Sequence, residues 1–158
     1  LPSIVKLKEM SWKNIYSVIP FTKTRYLMWR RIIRKIGDFV YLGGQSAVHQ
    51  FCRIGKHAII GAGTTIDGDV IPYTSVIGSR GHLSGLNLVG LRRRSFKKND
   101  IKKLRNVYRL LFAPEGTFNE RLSEVSDNYK NDDLIKDLLV FLEDNSNRPL
   151  IHPRMDKF

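Results

Sequence analysis

The 158-residue chain carries 27 lysines and arginines against 15 aspartates and glutamates, a formal net charge of +12. That length admits one domain, or a short solenoid with an attached bundle, and excludes two large domains. No apolar run is long enough to span a bilayer and no secretory pattern opens the chain, so a cytoplasmic address is expected.

The charge predicts an acidic partner, with nucleic acid, anionic lipid, a phosphorylated substrate and an acidic carrier protein all eligible. Cys52, the single cysteine, excludes an internal disulfide and reads as a packed residue rather than a nucleophile.

Residues 1 to 35 form the first region. Nine basic residues stand there against one acid, Glu9, and no six-residue period is present. Tyr26 to Ile33 fits a short basic amphipathic helix, and the segment could equally be an arm or a cap.

From Ile36 an aliphatic residue falls on every sixth position: Ile36, Leu42, Val48, Ile54, Ile60, Ile66. Glycine follows it at Gly37, Gly43, Gly55 and Gly61. Two residues before each aliphatic position of the following repeat lies a second row, Val40, Ser46, Cys52, Ala58, Thr64 and Val70, all of modest size. Two interleaved inward rows of this kind suit a triangular coil, where bulk at a corner would strike the next face. Carried backward, the period would bury Arg34 and Arg30, which an apolar core rejects, so the coil is expected to begin near Lys35. The fold class is therefore a β-solenoid plus α: a short left-handed parallel β-helix over 36–77, followed by a loop and a C-terminal helical bundle over 78–158. Six hexapeptides make two turns. That is few for a repeat array, so a cap or a partner over the exposed end is expected. β-helices of this hand are mostly acyl- or acetyltransferases that work as trimers.

After Pro72 the period fades into a glycine-containing loop, Gly78 to Gly85. Leu86 to Arg94 reads as a short helix, and Asp100 to Phe112 as a longer one with Ile101, Leu104, Val107, Tyr108 and Leu111 at helical spacing. Thr117 with Glu120 forms a capping box that opens a helix to about Tyr129. Leu134, Ile135, Leu138, Leu139 and Leu142 mark a last amphipathic helix, with Asn131 as its expected N-cap and an end before Arg148-Pro149.

Two stretches, Ile36 to Gly55 with its Ser-Ala-Val-His-Gln-Phe run and Gly85 to Phe96 with its Asn-Leu-Val-Gly-Leu-Arg-Arg-Arg run, resemble the UDP-N-acetylglucosamine O-acyltransferases of lipid A biosynthesis. The resemblance covers about Ile36 to Pro149. It implies a homotrimer that transfers a 3-hydroxyacyl chain from acyl carrier protein to the 3-hydroxyl of UDP-N-acetylglucosamine, with no metal and no cofactor. It also implies site residues. His49 and Gln50 match the family's pair in the nucleotide-sugar site, and His49 points outward because Val48 points in. Asn87 and Arg93 match positions that contact the UDP part, with Arg94 and Arg92 beside them as charge that steers phosphate. Ala62 falls at the acyl-length ruler, and His57 is expected along the acyl groove. No role is assigned to His82 or His152.

The same resemblance exposes a departure. The family uses a general-base histidine on coils before the His-Gln pair, and residues 1 to 35 contain no histidine; a second family histidine falls opposite Ile33. The catalytic residue is thus unknown, and a truncated or disrupted product is expected, in keeping with a first residue that is leucine. The alternative is a non-catalytic basic module that uses a β-helix remnant for trimerisation and binding. A related N-acyltransferase is disfavoured by the helices after Asn87. Nucleic acid is not expected, because Trp12, Tyr16, Phe21, Tyr26 and Trp29 make no base-stacking motif.

Overall fold

The computed structural model describes residues 35–144 and 146–154. The expected basic amphipathic helix at Tyr26 to Ile33 lies outside them.

Six two-residue strands come first: β1 Lys35–Ile36, β2 Tyr41–Leu42, β3 Ala47–Val48, β4 Arg53–Ile54, β5 Ile59–Ile60 and β6 Thr65–Ile66. The first three stack in parallel on the strands 18 residues later, with Lys35 opposite Arg53, Tyr41 opposite Ile59 and Ala47 opposite Thr65. Three hexapeptides per turn give three flat faces, as the period implied. Ile54, Ile60 and Ile66 are wholly buried, each contributing roughly 1.5–3 kcal/mol of burial. Their counterparts Ile36, Leu42 and Val48 on the first turn are only half-buried. The glycines mark where turns touch: a Cβ on Gly43 would run into the backbone of Ala62 on the next turn.

The solenoid does not stop at two turns. β7 (Thr74–Ile77) pairs in parallel with β5, while Val70 bridges Ile54 and Arg80 bridges Thr65. The offset has dropped from 18 to 16, since Ile59 now faces Ser75 and Ile54 faces Val70. Loss of two residues at the corner after Ile66 moves Val70 out of the expected small row and into the aliphatic row above Ile54. The same offset brings Thr74, fully buried, to the small-row place above Ala58. This shortening is why the six-residue pattern fades before the coil does.

The expected loop at Gly78 to Gly85 is corrected in part. Residues 78–81 turn the chain, and β8 (His82–Leu86) returns antiparallel to β7. The antiparallel strand is the last of the stack on that face.

Four helices follow: α1 Leu88–Arg93, α2 Lys98–Leu111, α3 Phe118–Tyr129 and α4 Asp133–Glu143. α3 opens with the expected capping box, Thr117 Oγ1 accepting from the Glu120 amide at 3.3 Å and Glu120 Oε2 accepting from the Thr117 amide at 2.7 Å. The N-cap of α4 is Asp132, not Asn131; its carboxylate accepts from the amides of Leu134 and Ile135 and also pairs with Lys103 of α2 at 2.5 Å. A carboxylate suits that place because it meets both the open amides and a neighbouring ammonium. The chain then returns to the solenoid. Asp69 bridges Leu150, Leu83 bridges Pro153, and the Ile151 amide donates to the Asp69 carbonyl at 2.9 Å.

Candidate functional site

The side chains singled out in the sequence collect at two different corners of the triangle. The first corner lies between the β1–β4 and β2–β5 faces. Phe39, His57 and Tyr73 occupy it on successive turns, all with positive φ (61°, 59° and 68°). Their rings stack, Phe39 to His57 at 4.8 Å and His57 to Tyr73 at 5.5 Å, and Phe96 closes edge-on to His57 at 5.1 Å. The stack compensates for a backbone conformation that costs a non-glycine residue on the order of 1 kcal/mol.

His57 therefore departs from expectation. It does point away from the coil axis, yet only 7% of it is exposed and its Nδ1 has no hydrogen-bond partner. Burial, with the Arg94 and Lys56 cations adding to it, lowers its pKa to about 4. In the single chain it is a neutral stacking ring, not the wall of an open groove. Ala62 is exposed on the second turn, against Gly43 of the first.

Asn87 shares this corner in a structural capacity. Its Nδ2 donates to the His57 carbonyl at 2.8 Å, its Oδ1 accepts from the Gly90 amide at 3.0 Å, and its own amide donates to the Tyr73 carbonyl at 2.8 Å. It is the N-cap of α1 and 5% exposed. The Asn-x-x-Gly spacing follows directly, because a Cβ at Gly90 would overlap the Asn87 amide. Arg94, at the other end of α1, lays its guanidinium over the Phe39 ring at 4.9 Å and donates to the Phe39 carbonyl at 3.3 Å. Asn87 and Arg94 thus pin the ends of the short helix, and Arg92 and Arg93 between them are open to solvent.

His49 and Gln50 sit at another corner, between the β3–β6 and β1–β4 faces, and both are exposed. Arg148, 99 residues away, reaches back to them. Its Nη2 lies 2.6 Å from His49 Nδ1, and its Nε donates to the Gln50 carbonyl at 3.0 Å. Nothing local in the sequence flags this contact. A third feature was also missed: Arg53, 2% exposed, pairs with the fully buried Asp69 and with Asp144, and stacks on Phe141 at 4.4 Å. It ties the solenoid to α4. Cys52 is fully buried and burial pushes its thiol up to about 11, which removes it as a nucleophile.

Comparison with known proteins places both halves. A profile described as UDP-N-acetylglucosamine O-acyltransferase, domain 2, matches residues 69–151, and one for bacterial transferase hexapeptide repeats matches 35–68. An acyl-[acyl-carrier-protein]–UDP-N-acetylglucosamine O-acyltransferase of Xylella fastidiosa is 42% identical over 118 residues, 73% of this chain and 44% of that protein. The one of Caulobacter vibrioides is 48% identical over 88 residues, 56% of this chain and 34% of that protein. Among solved structures, the Arabidopsis UDP-N-acetylglucosamine acyltransferase matches with a TM-score of 0.67 at 36% identity, covering 73% of this chain and 43% of that one. The Francisella novicida enzyme matches at 0.70 and 30%, covering 76% and 44%. The chain spans less than half the length of each of these relatives.

Proposed function

The chain belongs to the UDP-N-acetylglucosamine O-acyltransferase family, and on that premise we propose that it serves the transfer of a 3-hydroxyacyl chain from acyl carrier protein to the 3-hydroxyl of UDP-N-acetylglucosamine, in lipid A biosynthesis. The observation that carries this reading is the split of the matched residues between two corners. His49 and Gln50 stand exposed at one, Arg93 at the other with Asn87 and Arg94 fixing its helix. The two sets stand at different corners of one coil, which favours a nucleotide sugar held between copies over one held by a single chain. Neighbouring copies in a ring bring one corner of each together, so the reading includes a left-handed coil and a homotrimer with sites between subunits.

In such a site Arg93 and Arg92 meet the diphosphate, whose paired oxygens suit a guanidinium fork. His49 offers a ring N–H to a substrate oxygen. Ala62 leaves space for an acyl chain, whereas His57 acts behind the site as packing. The acyl carrier protein, acidic by expectation, docks on α2, whose Lys98, Lys102, Arg105 and Arg109 lie on one exposed face at helical spacing. The reading carries with it the cytoplasmic address expected from the sequence.

Transfer forms a C–O bond from the sugar hydroxyl to the thioester carbonyl and breaks the C–S bond, so a base must take the hydroxyl proton and the carrier thiol must leave protonated. None of the four histidines, His49, His57, His82 and His152, occupies the matched general-base position, and His57 is buried among aromatic rings. The chain by itself is therefore expected to bind substrate and transfer little. An assay of purified chain with 3-hydroxyacyl carrier protein and UDP-N-acetylglucosamine, with mass measured on the same sample, tests this. A trimer that binds the sugar nucleotide with background transfer is the expected result. Transfer well above background would assign the base to exposed His49. A monomer that binds nothing would favour the alternative, a basic module without catalysis, for which the cationic face of α2 is the supporting feature.

A further inference from the structure

We infer that Arg148 is a positioning residue for His49, fixing the imidazole as the tautomer that presents Nε2–H to the substrate; this rests on the nucleotide-sugar reading above. A guanidinium can only donate. With Arg148 Nη2 at 2.6 Å from His49 Nδ1, Nδ1 must accept, and in the neutral ring the hydrogen then sits on Nε2. The His49 Nδ1 contact with the Gln50 carbonyl at 3.4 Å is consequently not a hydrogen bond. That carbonyl accepts instead from Arg148 Nε at 3.0 Å. One planar fork thus spans the His49–Gln50 pair, and rigidity of the fork fixes the direction of the ring.

The placement of Arg148 is itself built in. Its amide donates to Ser146 Oγ at 3.2 Å, and immediately after it Pro149 and Ile151 hydrogen-bond to the Asp69 backbone on the solenoid. Arg148 is half-buried while His49 is exposed. The contact between the cation and the ring is itself open to solvent. An N–H donor backed by a fixed positive charge suits an anionic oxygen, such as one of the diphosphate. The C-terminal segment, which no repeat pattern covers, becomes part of the site's supporting shell.

The test uses the full chain labelled with ¹⁵N-histidine. In the parent, His49 should show a hydrogen-bearing Nε2 and a bare Nδ1 in long-range ¹H–¹⁵N spectra. Arg148→Ala should drive the two nitrogen shifts toward an averaged pair, and Arg148→Lys, which keeps a donor, should restore the parent pattern in part. Calorimetric titration with UDP-N-acetylglucosamine should show about tenfold weaker binding in Arg148→Ala, with no further loss when Arg148→Ala is added to His49→Ala. Unchanged nitrogen shifts in Arg148→Ala, or losses that multiply in the double variant, would overturn the proposal. If the parent binds no UDP-N-acetylglucosamine while the tautomer still depends on Arg148, the positioning is upheld and the functional reading fails. Native circular dichroism of the Arg148→Lys chain guards against a folding artefact.

Discussion

Arg53 Nε donates to Asp69 Oδ2 at 2.6 Å with both side chains almost fully out of water, and Asp69 Oδ1 accepts from the Arg53 amide at 2.7 Å. The pair sits where the solenoid, α4 and the returning C-terminal segment meet, because Arg53 also reaches Asp144 and the Asp69 backbone holds Pro149 and Ile151. Asp69→Ala leaves the buried guanidinium with Asp144 alone and the Arg53 amide without its acceptor, and should cost about 2–3 kcal/mol. Urea unfolding monitored by circular dichroism measures it. A loss below about 1 kcal/mol would mean that the pair does not join these elements.

The His57 stack predicts an acid-sensitive fold. Its folded pKa of about 4 lies below its ordinary 6.5, so between those values the unfolded chain takes up a proton that the folded chain refuses. Stability then falls as pH drops from 6.5 toward 4, by at most about 1.4 kcal/mol per pH unit from this group. His57→Phe keeps a ring between Phe39 and Tyr73 and removes the unpartnered nitrogen. Its thermal midpoint should match or exceed the parent at pH 7 and change less between pH 6.5 and 4; equal acid slopes would contradict this.

Helix propensity alone predicts that Gly90→Ala stabilises α1 by about 1 kcal/mol. The overlap of that Cβ with the Asn87 amide predicts the reverse, a loss of about 1–3 kcal/mol. Gly44→Ala, where an added Cβ meets nothing within 4 Å, should change stability by less than about 0.5 kcal/mol. Paired thermal melts of the two variants decide it.

Charge reversal on α2 tests the carrier surface. Lys102→Glu with Arg105→Glu should leave the melting temperature nearly unchanged, since both residues are exposed, while weakening association with acyl carrier protein at least tenfold at low salt. Raising the salt should weaken the parent interaction and shrink that difference. Equal affinities in surface-binding measurements would remove α2 from the docking surface.

The parts of the fold that the sequence made legible are those written as local periods. The 18-residue stacking of Lys35 on Arg53 follows from six-residue spacing, and the α3 cap follows from Thr117 and Glu120. The shortened corner after Ile66 was hidden because Val70 still looks like a member of the small row; only its pairing with Ile54 shows the shift. Asn131 and Asp132 are both capping residues, and the Lys103 ammonium from another helix favours the carboxylate. Among the candidate residues, His49 is exposed, in the outward direction expected of it. The three hydrogen bonds of Asn87 within the fold were not foreseen. Arg148 could not have been found, since its bond to His49 spans 99 residues and leaves no spacing signature.

The central claim is that one site is assembled from the His49 corner of one copy and the Arg93 corner of the next. Titrating UDP-N-acetylglucosamine into His49→Ala chain, Arg93→Ala chain and the two refolded together tests it most directly. Each variant alone should bind weakly, and the mixture should regain parent-like affinity at about a quarter of its sites, as random assembly of a ring requires. A mixture that binds no better than its components, from variants that still form trimers, would contradict a shared site.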